Sequence, residues 1–352
     1  MISLLARSLP TIGKVSFATM IGMGLIAGDA LAQQAPPSPG SAKAVFGAVT
    51  LPTQGPPQSI GFYAKGCLAG AVALPADGPT WQAMRLSRNR RWGRPEMIGL
   101  LERLSRDAAR NDGWPGLLVG DISQPRGGPM ANGHASHQIG LDADVWLTPM
   151  PRHKMTAEER ETLPFTTMLA KDKFLTINDK VWTQAHARLL MRAASYPEVE
   201  RIFVNPAIKK KMCETWTGDR TNLSKLRPEY GHDSHFHIRL RCPAGSVGCT
   251  GQAPVAAGDG CDKPLAWWFG PEPWAKPKPS TKPPVKPREV MVSDLPKACQ
   301  AIVAAPSVAS ARAATFGAKA ADAAAETNAL PVSGPASGSV SGDTPPGQIP
   351  QQ

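Results

Sequence analysis

The stretch HFHIRLR, beginning at His235, alternates strictly. His235, His237, Arg239 and Arg241 fall on one parity, and Phe236, Ile238 and Leu240 on the other. Successive side chains of a strand point to opposite faces, so the pattern predicts a β-strand with its apolar face on a core. The two imidazoles then stand about 7 Å apart, two strand rises, on the other face. The segment GHASHQIGLDADVWL, from Gly133 to Leu147, follows the same logic. Leu141, Ala143, Val145 and Leu147 share one face, and Asp142, Asp144 and Trp146 share the other. His137 precedes this strand across Gln-Ile-Gly, and Gly140 permits a turn that folds His137 back toward Asp144.

Five of the seven histidines lie in these two segments once the first is extended back to Gly231, which brings in His232. Imidazole nitrogens and a carboxylate suit zinc, and three protein ligands leave a fourth tetrahedral position open, as catalysis requires. The plain alternative is a patch of hydrogen-bonded histidines that responds to pH. The six cysteines lack C-x2-C spacing, which argues against a closed structural zinc site. Ser136 sits between two histidines, but neighbours in extended chain point apart. No G-x-S-x-G or S-x-x-K motif accompanies a candidate base.

The chain has 352 residues, 36 of them proline and 33 glycine, unevenly spread, so the foldable part is shorter than the length suggests. Residues 1–32 read as a secretory signal: Arg7 and Lys14 supply charge, VSFATMIGMGLIAG is the apolar run, and Ala30-Leu31-Ala32 is a small-x-small cleavage site. No later segment is apolar for 18 residues, so no stable membrane insertion is expected after cleavage. Export permits disulfides. The net charge of +11 suits an acidic polymer; no nucleic-acid signature is present, and nucleic acid is not an expected partner.

Residues 33–51 read as a Pro/Ala/Gly-rich linker and 52–271 as the folded domain. Residues 272–305 form a Pro/Lys-rich extended strap containing Cys299, and 306–352 a disordered tail of Ala, Ser, Gly and Pro. Within the domain, TWQAMRLSRNR, PEMIGLLERLSRDAARND and residues 179–194 read as helices. The Leu117–Val119 run and Arg201 to Val204 read as strands beside the two histidine segments. Helices precede and interrupt short strands. The expected class is therefore α+β, a single domain whose small, mostly antiparallel sheet carries the site between flanking helices.

The pair H-x6-D (His137, Asp144) and H-x-H (His235, His237) resembles the signature of the group containing lysostaphin-type peptidases, D-Ala-D-Ala metallopeptidases and the Hedgehog signalling domain. More closely, GHASHQIGLDADV, RIFVNPAIK and HFHIRLRCP resemble the penicillin-insensitive murein endopeptidase family of Gram-negative bacteria, over roughly Ser59 to Cys299. The resemblance implies that His137, Asp144 and His237 are zinc ligands and that His235 is the catalytic base or transition-state stabiliser. It makes His134 and His232 further active-site histidines, His134 with a metal contact of its own. It also implies disulfides Cys67–Cys299, Cys213–Cys261 and Cys242–Cys249. The family has a further metal position, an Asp with a His three later. Here Asp172 fits the first place but Leu175 stands at the second, which leaves a second metal without support.

Zinc so held acidifies water toward a pKa of ~7 for attack on an amide. His235 would take the proton or hold the oxyanion, and His232 would pass a proton to the leaving amine; sequence alone does not divide these roles. Asp142 shares the face of Asp144 and is placed either to orient a ligand histidine or to make a surface hydrogen bond. Arg239 and Arg241 share parity with His237 and would bind a substrate carboxylate, or are solvated strand ends. The resemblance implies a periplasmic DD-endopeptidase that cleaves D-alanyl–meso-diaminopimelyl cross-links of peptidoglycan. The alternatives are a D,D-carboxypeptidase or dipeptidase on uncross-linked stems and a non-catalytic zinc- or murein-binding protein.

Overall fold

A computed structural model describes residues 40–276 and 288–318. Its strands are β1 (Gln58–Phe62), β2 (Lys65–Ala69), β3 (Val72–Ala73), β4 (Asp77–Gly78), β5 (Trp81–Ala83), β6 (Trp92–Gly93), β7 (Leu117–Val119), β8 (Asp142–Trp146), β9 (Val199–Val204), β10 (Leu226–Pro228) and β11 (His235–Leu240). The helices are α1 (Ala42–Gly47), α2 (Pro95–Asn111), α3 (Ala157–Thr162), α4 (Gln184–Ser195), α5 (Pro206–Thr215), α6 (Lys263–Trp267) and α7 (Ala298–Ala304). The class is α+β, as expected.

The principal sheet has seven strands in the order β10-β9-β11-β8-β7-β5-β4. Its antiparallel pairings are β9 with β11, β11 with β8, β8 with β7, and β5 with β4; β10–β9 and β5–β7 are parallel. At its centre the β8–β11 register sets His237 opposite Asp144, Arg239 opposite Asp142 and His235 opposite Trp146. Cross-strand partners share a face, so this register decides that the polar residues of both strands meet. On the other face Ala143, Val145, Phe236, Ile238 and Leu240 are buried in the main core. They are covered by α2, through Met97, Leu100, Leu101 and Leu104, and by α4, through Leu189 and Leu190.

Three elements differ from the sequence expectation. The stretch TWQAMRLSRNR is no α-helix, and only Leu86–Arg88 makes a single 3-10 turn. Trp81–Ala83 is a fully buried strand beside β7, and Arg85 and Asn89 adopt left-handed φ values of 53° and 51°, which break any helical run. Within the expected linker, Ala42–Gly47 is a helix capped by Ser41, whose hydroxyl accepts from Ala44 N at 3.3 Å. Its Phe46 is buried against Cys67, Leu295, Cys299 and Ile302, and burying such a ring contributes about 2–3 kcal/mol. In the expected tail, Ser307 pairs with Thr53, Thr315 pairs with Ala73, and Ala314 is buried with Trp92. Residues 1–39 and 319–352, hence the signal and most of the tail, lie outside the described residues, as does 277–287 of the strap.

All three disulfides implied by the resemblance are present: Cys67–Cys299, Cys213–Cys261 and Cys242–Cys249. The first closes a separation of 232 residues and ties α7 to β2. Chain-entropy reasoning assigns such a cross-link roughly 5 kcal/mol, against roughly 2 kcal/mol for the seven-residue Cys242–Cys249 loop. Among the described residues no helix is long and apolar enough to cross a membrane.

Candidate metal centre

His137 reaches the site through two left-handed residues. Gly140 has φ +71°, and a Cβ there would meet Leu68 at 2.6 Å, so only glycine fits this turn. His137 itself has φ 65°, an uncommon state for a side-chain-bearing residue. Its backbone N–H donates to Asp142 Oδ2 at 3.0 Å, which holds that strained conformation.

The hydrogen bonds fix which nitrogen of each histidine carries hydrogen. Ile122 O can only accept, and it lies 2.7 Å from His137 Nδ1, so Nδ1–H donates. The lone pair of His137 Nε2 then faces Asp144 Oδ1 at 3.3 Å. His237 Nε2 donates to Asp142 Oδ1 at 2.9 Å, leaving its Nδ1 lone pair 3.6 Å from Asp144 Oδ1. His134 Nε2 donates to Asp121 Oδ2 at 3.0 Å, leaving Nδ1 3.5 Å from Asp144 Oδ2. Three imidazole lone pairs thus converge on one carboxylate, and acceptors facing acceptors repel. Buried His137 Nε2 and Asp144 Oδ1 have no hydrogen-bond partner at all. Orphaned buried acceptors of this kind are costly unless a cation lies between them. The donor set therefore fits a metal ion, and His134, His137 and Asp144 each offer an atom within 4.8 Å of the others.

Asp142 is the hub behind this arrangement. Besides His137 and His237 it takes a forked pair from Arg239, at 2.7 Å from Nε and 3.2 Å from Nη2. Burial alone would raise its pKa, but Arg239 and His237 outweigh that and hold it well below the usual carboxylate range. Asp142 thus orients a histidine rather than meeting solvent. Asp121 does the same for His134: burial pushes its pKa up, while His134, Arg90 and Arg88 bring it down to about 2. Burial also lowers the His237 pKa to about 4, leaving the ring neutral with its Nδ1 lone pair available. For His137 burial works the same way but the Asp144 carboxylate outweighs it and pushes the pKa up to about 9, so without an ion a proton settles between Nε2 and Asp144 Oδ1, in the place where a metal would relieve the same repulsion.

His232 and His235 stand beside the cluster, their rings 5.0 Å apart, with His235 Nε2 3.9 Å from Asp144 Oδ2. His232 has φ 53°, and its Nδ1–H donates to Tyr230 O at 2.7 Å, which frees the Nε2 lone pair. Burial, then the neighbouring His235, lowers its pKa. His134 lines three cavities, of about 380, 460 and 70 Å³. The first also holds His232, His237, Phe203 and Tyr230, and the last holds His235, Asp144, Arg85 and Arg88.

The two strand arginines are placed differently from the expected substrate clamp. Arg239 is buried between Tyr63 and Phe203, 4.2 and 4.9 Å from their ring centroids, and its Nη1 donates to Gln252. Its Nε and Nη2 fork is taken by Asp142, which it supports at the back of the first cavity. Arg241 is exposed beyond the end of β11, some 13 Å along the chain from His237, and lines none of these cavities. Asp172 is exposed and outside the cluster, and Leu175 packs against the core. Arg88, with a 41% exposed side chain and one contact to Asp121, is the accessible cation beside His235. Neither Asp121 nor Arg88 was singled out from sequence; the one usable signal is that Asp121 ends the β7 run at its polar edge.

Residues 59–304 match the family model of the penicillin-insensitive murein endopeptidase. The chain is a member of that family. A curated relative of this description from Haemophilus influenzae is 47% identical over 251 residues, 70% of this chain and 82% of the relative. Relatives of the same description from Klebsiella pneumoniae and Yersinia enterocolitica are 41% and 40% identical, covering 72% and 76% of this chain and 89% and 92% of theirs. The protein is accordingly a peptidase whose His/Asp cluster could hold a metal ion.

Proposed function

We propose that this protein is a zinc-dependent DD-endopeptidase that hydrolyses D-alanyl–meso-diaminopimelyl cross-links of peptidoglycan in the periplasm. The observation that carries the reading is the convergence of three imidazole lone pairs on Asp144, each ring pinned from behind by Ile122 O, Asp142 or Asp121. His137, Asp144 and His237 would hold the ion, with His134 as a further nitrogen, a nitrogen–oxygen set that suits zinc. Bound there, zinc supplies Lewis-acid polarisation of the scissile carbonyl and acidifies water toward a pKa of ~7.

The chain's own groups divide the proton work. His232 has a lowered pKa and a free Nε2 lone pair, so it is neutral at pH 7, takes a proton from water and passes it to the leaving amine as the C–N bond breaks. His235, whose side chain is 25% exposed, faces Asp144 and donates to the developing oxyanion. Arg88 meets a stem-peptide carboxylate. The three cavities around His134 leave chain on both sides of the scissile bond room to pass, which favours endopeptidase action over trimming of free ends. The three disulfides accord with export.

Digestion of cross-linked muropeptides tests this. Dimers should become monomers, a chelator should stop the reaction, zinc should restore it, and penicillin should leave it untouched because no acyl-serine forms. Shortened stems with intact dimers would point to a carboxypeptidase, and dimer conversion by His137→Ala would overturn the reading.

A further inference from the structure

Next to the site lies a shelf of aromatic rings that hydrolysis does not use. Tyr230 lines the same cavity as His232 and His237. Its ring lies 4.7 Å from Trp268 and 5.2 Å from Trp274. Trp267 extends the row at 5.2 Å from Trp268, and Phe174, from a distant loop, closes it at 5.3 Å from Trp274. Two of their polar tips are engaged within the shelf: Tyr230 Oη donates to Pro273 O and Trp274 Nε1 to Trp268 O, both at 2.7 Å. Phe174, Trp267 and Tyr230 are nevertheless 64%, 47% and 46% exposed. A contiguous exposed apolar surface rimmed by polar groups marks a binding site.

We propose that this shelf is a carbohydrate platform on which hexosamine rings of the glycan strand stack, holding the polymer while its peptide branch enters the site. The inference rests on the murein reading above. Continuity favours this occupant, because Tyr230 belongs both to the shelf and to the cavity of His232. Charge favours it too. Lys171 and Lys173 border the cavity of about 660 Å³ between Phe174 and Trp274, and make no ion pair with any described residue. Carboxylate-bearing stems branching from a glycan are their natural partners. Flat, partly exposed aromatic rings present faces that suit the C–H surface of a pyranose.

The test uses the full-length exported chain and three probes: glycan strands stripped of peptide, a sugar-free cross-linked peptide dimer, and a peptide of the sequence of residues 277–287. Wild type should bind the stripped strands. The double variant Phe174→Ala/Trp267→Ala should bind them about tenfold or more weakly, while cleaving the sugar-free dimer within about twofold of wild type. Trp267→Tyr should restore most of the binding. Failure of wild type to bind stripped strands, undiminished binding by the double variant, or binding of the 277–287 peptide in place of the strands would overturn the platform. Failure of wild type to cleave the dimer would sink the endopeptidase reading instead, and the strand-binding result would still stand or fall separately.

Discussion

The histidines divide into two groups that the fold treats in opposite ways. His137 and His237 are buried, with side-chain exposures of 0% and 6%, and each is pinned through its rear nitrogen. The side chain of His235, on the same strand as His237, is 25% exposed and its ring makes no hydrogen bond to any described residue, and His232 holds a backbone carbonyl and keeps one nitrogen free. The difference teaches how one short segment can serve two purposes. A ligand must be dry and fixed in a single tautomer, whereas a group that moves protons must reach solvent and substrate. Two residues at the start of one interior strand are enough to separate the two environments.

The buried group should be the less forgiving. His137→Ala or Asp144→Asn should remove the bound metal and reduce kcat/KM by roughly 10³-fold or more, since several kcal/mol of transition-state stabilisation depend on the ion. Metal content of the purified variants, read beside activity, checks this; a variant with metal gone and activity retained would break the division. In the open group, metal should stay bound. His232→Ala should cost about 10²–10⁴-fold in kcat, the range of one positioned acid or base. Its lowered pKa gives a sign for the pH profile: activity persists below the ordinary histidine value near 6.5 and falls only as His232 gains a proton. In the variant that acid limb should disappear from the kcat/KM profile.

Asp142→Asn sharpens the comparison from behind. The residue touches no substrate, but its amide offers His237 at best one acceptor and loses the charge that Arg239 forks onto. Metal affinity should fall about 10–100-fold, with saturating metal restoring much of the rate. A loss that excess metal does not restore would mean that Asp142 only holds the fold.

The two groups were unequally legible in the sequence. The parity of HFHIRLR and the LDADVWL alternation gave both strands, the shared face, and the partnership of His137 with Asp144 across Gly140, because period two is local and strict. What lay behind the ligands was harder. Asp121 meets His134 only through the β7–β8 pairing, a tertiary contact with no local pattern. Arg239 looked like a substrate clamp because parity reports a face, not what else occupies it; Tyr63 and Phe203 come from other strands or turns. Asn205-Pro206, which follows the Arg201 to Val204 strand directly, starts α5, with the Asn as cap and the proline at the first helical position. Helix α1 hid in Pro- and Ala-rich chain because its fixation comes from one residue, Phe46, and a disulfide on the far side of the sequence.

The smallest effect comes from a buried charge away from the site, which isolates burial from catalysis. Lys209 is 0% exposed, with Nζ donating to Leu223 O at 2.7 Å and Asp259 O at 2.6 Å. Burial is the main cause that lowers its pKa from 10.5 to about 8, with Asp259 opposing. A neutral amine keeps two hydrogens for these two carbonyls, so deprotonation breaks neither bond. Below pH 8 both folded and unfolded chains carry the proton and the folded state bears the cost of the buried charge. Between about pH 8 and 10 the folded chain has released the proton while the unfolded chain retains it, so stability rises with pH, by about 1 kcal/mol per unit at most. Urea unfolding at pH 7.5 and 9.5 should show this rise in wild type and its loss in Lys209→Met, with activity at pH 7.5 the same in both. A rise of equal size in the variant would show that burial at Lys209 does not set its proton affinity, and would weaken the parallel explanation for the neutrality of His237.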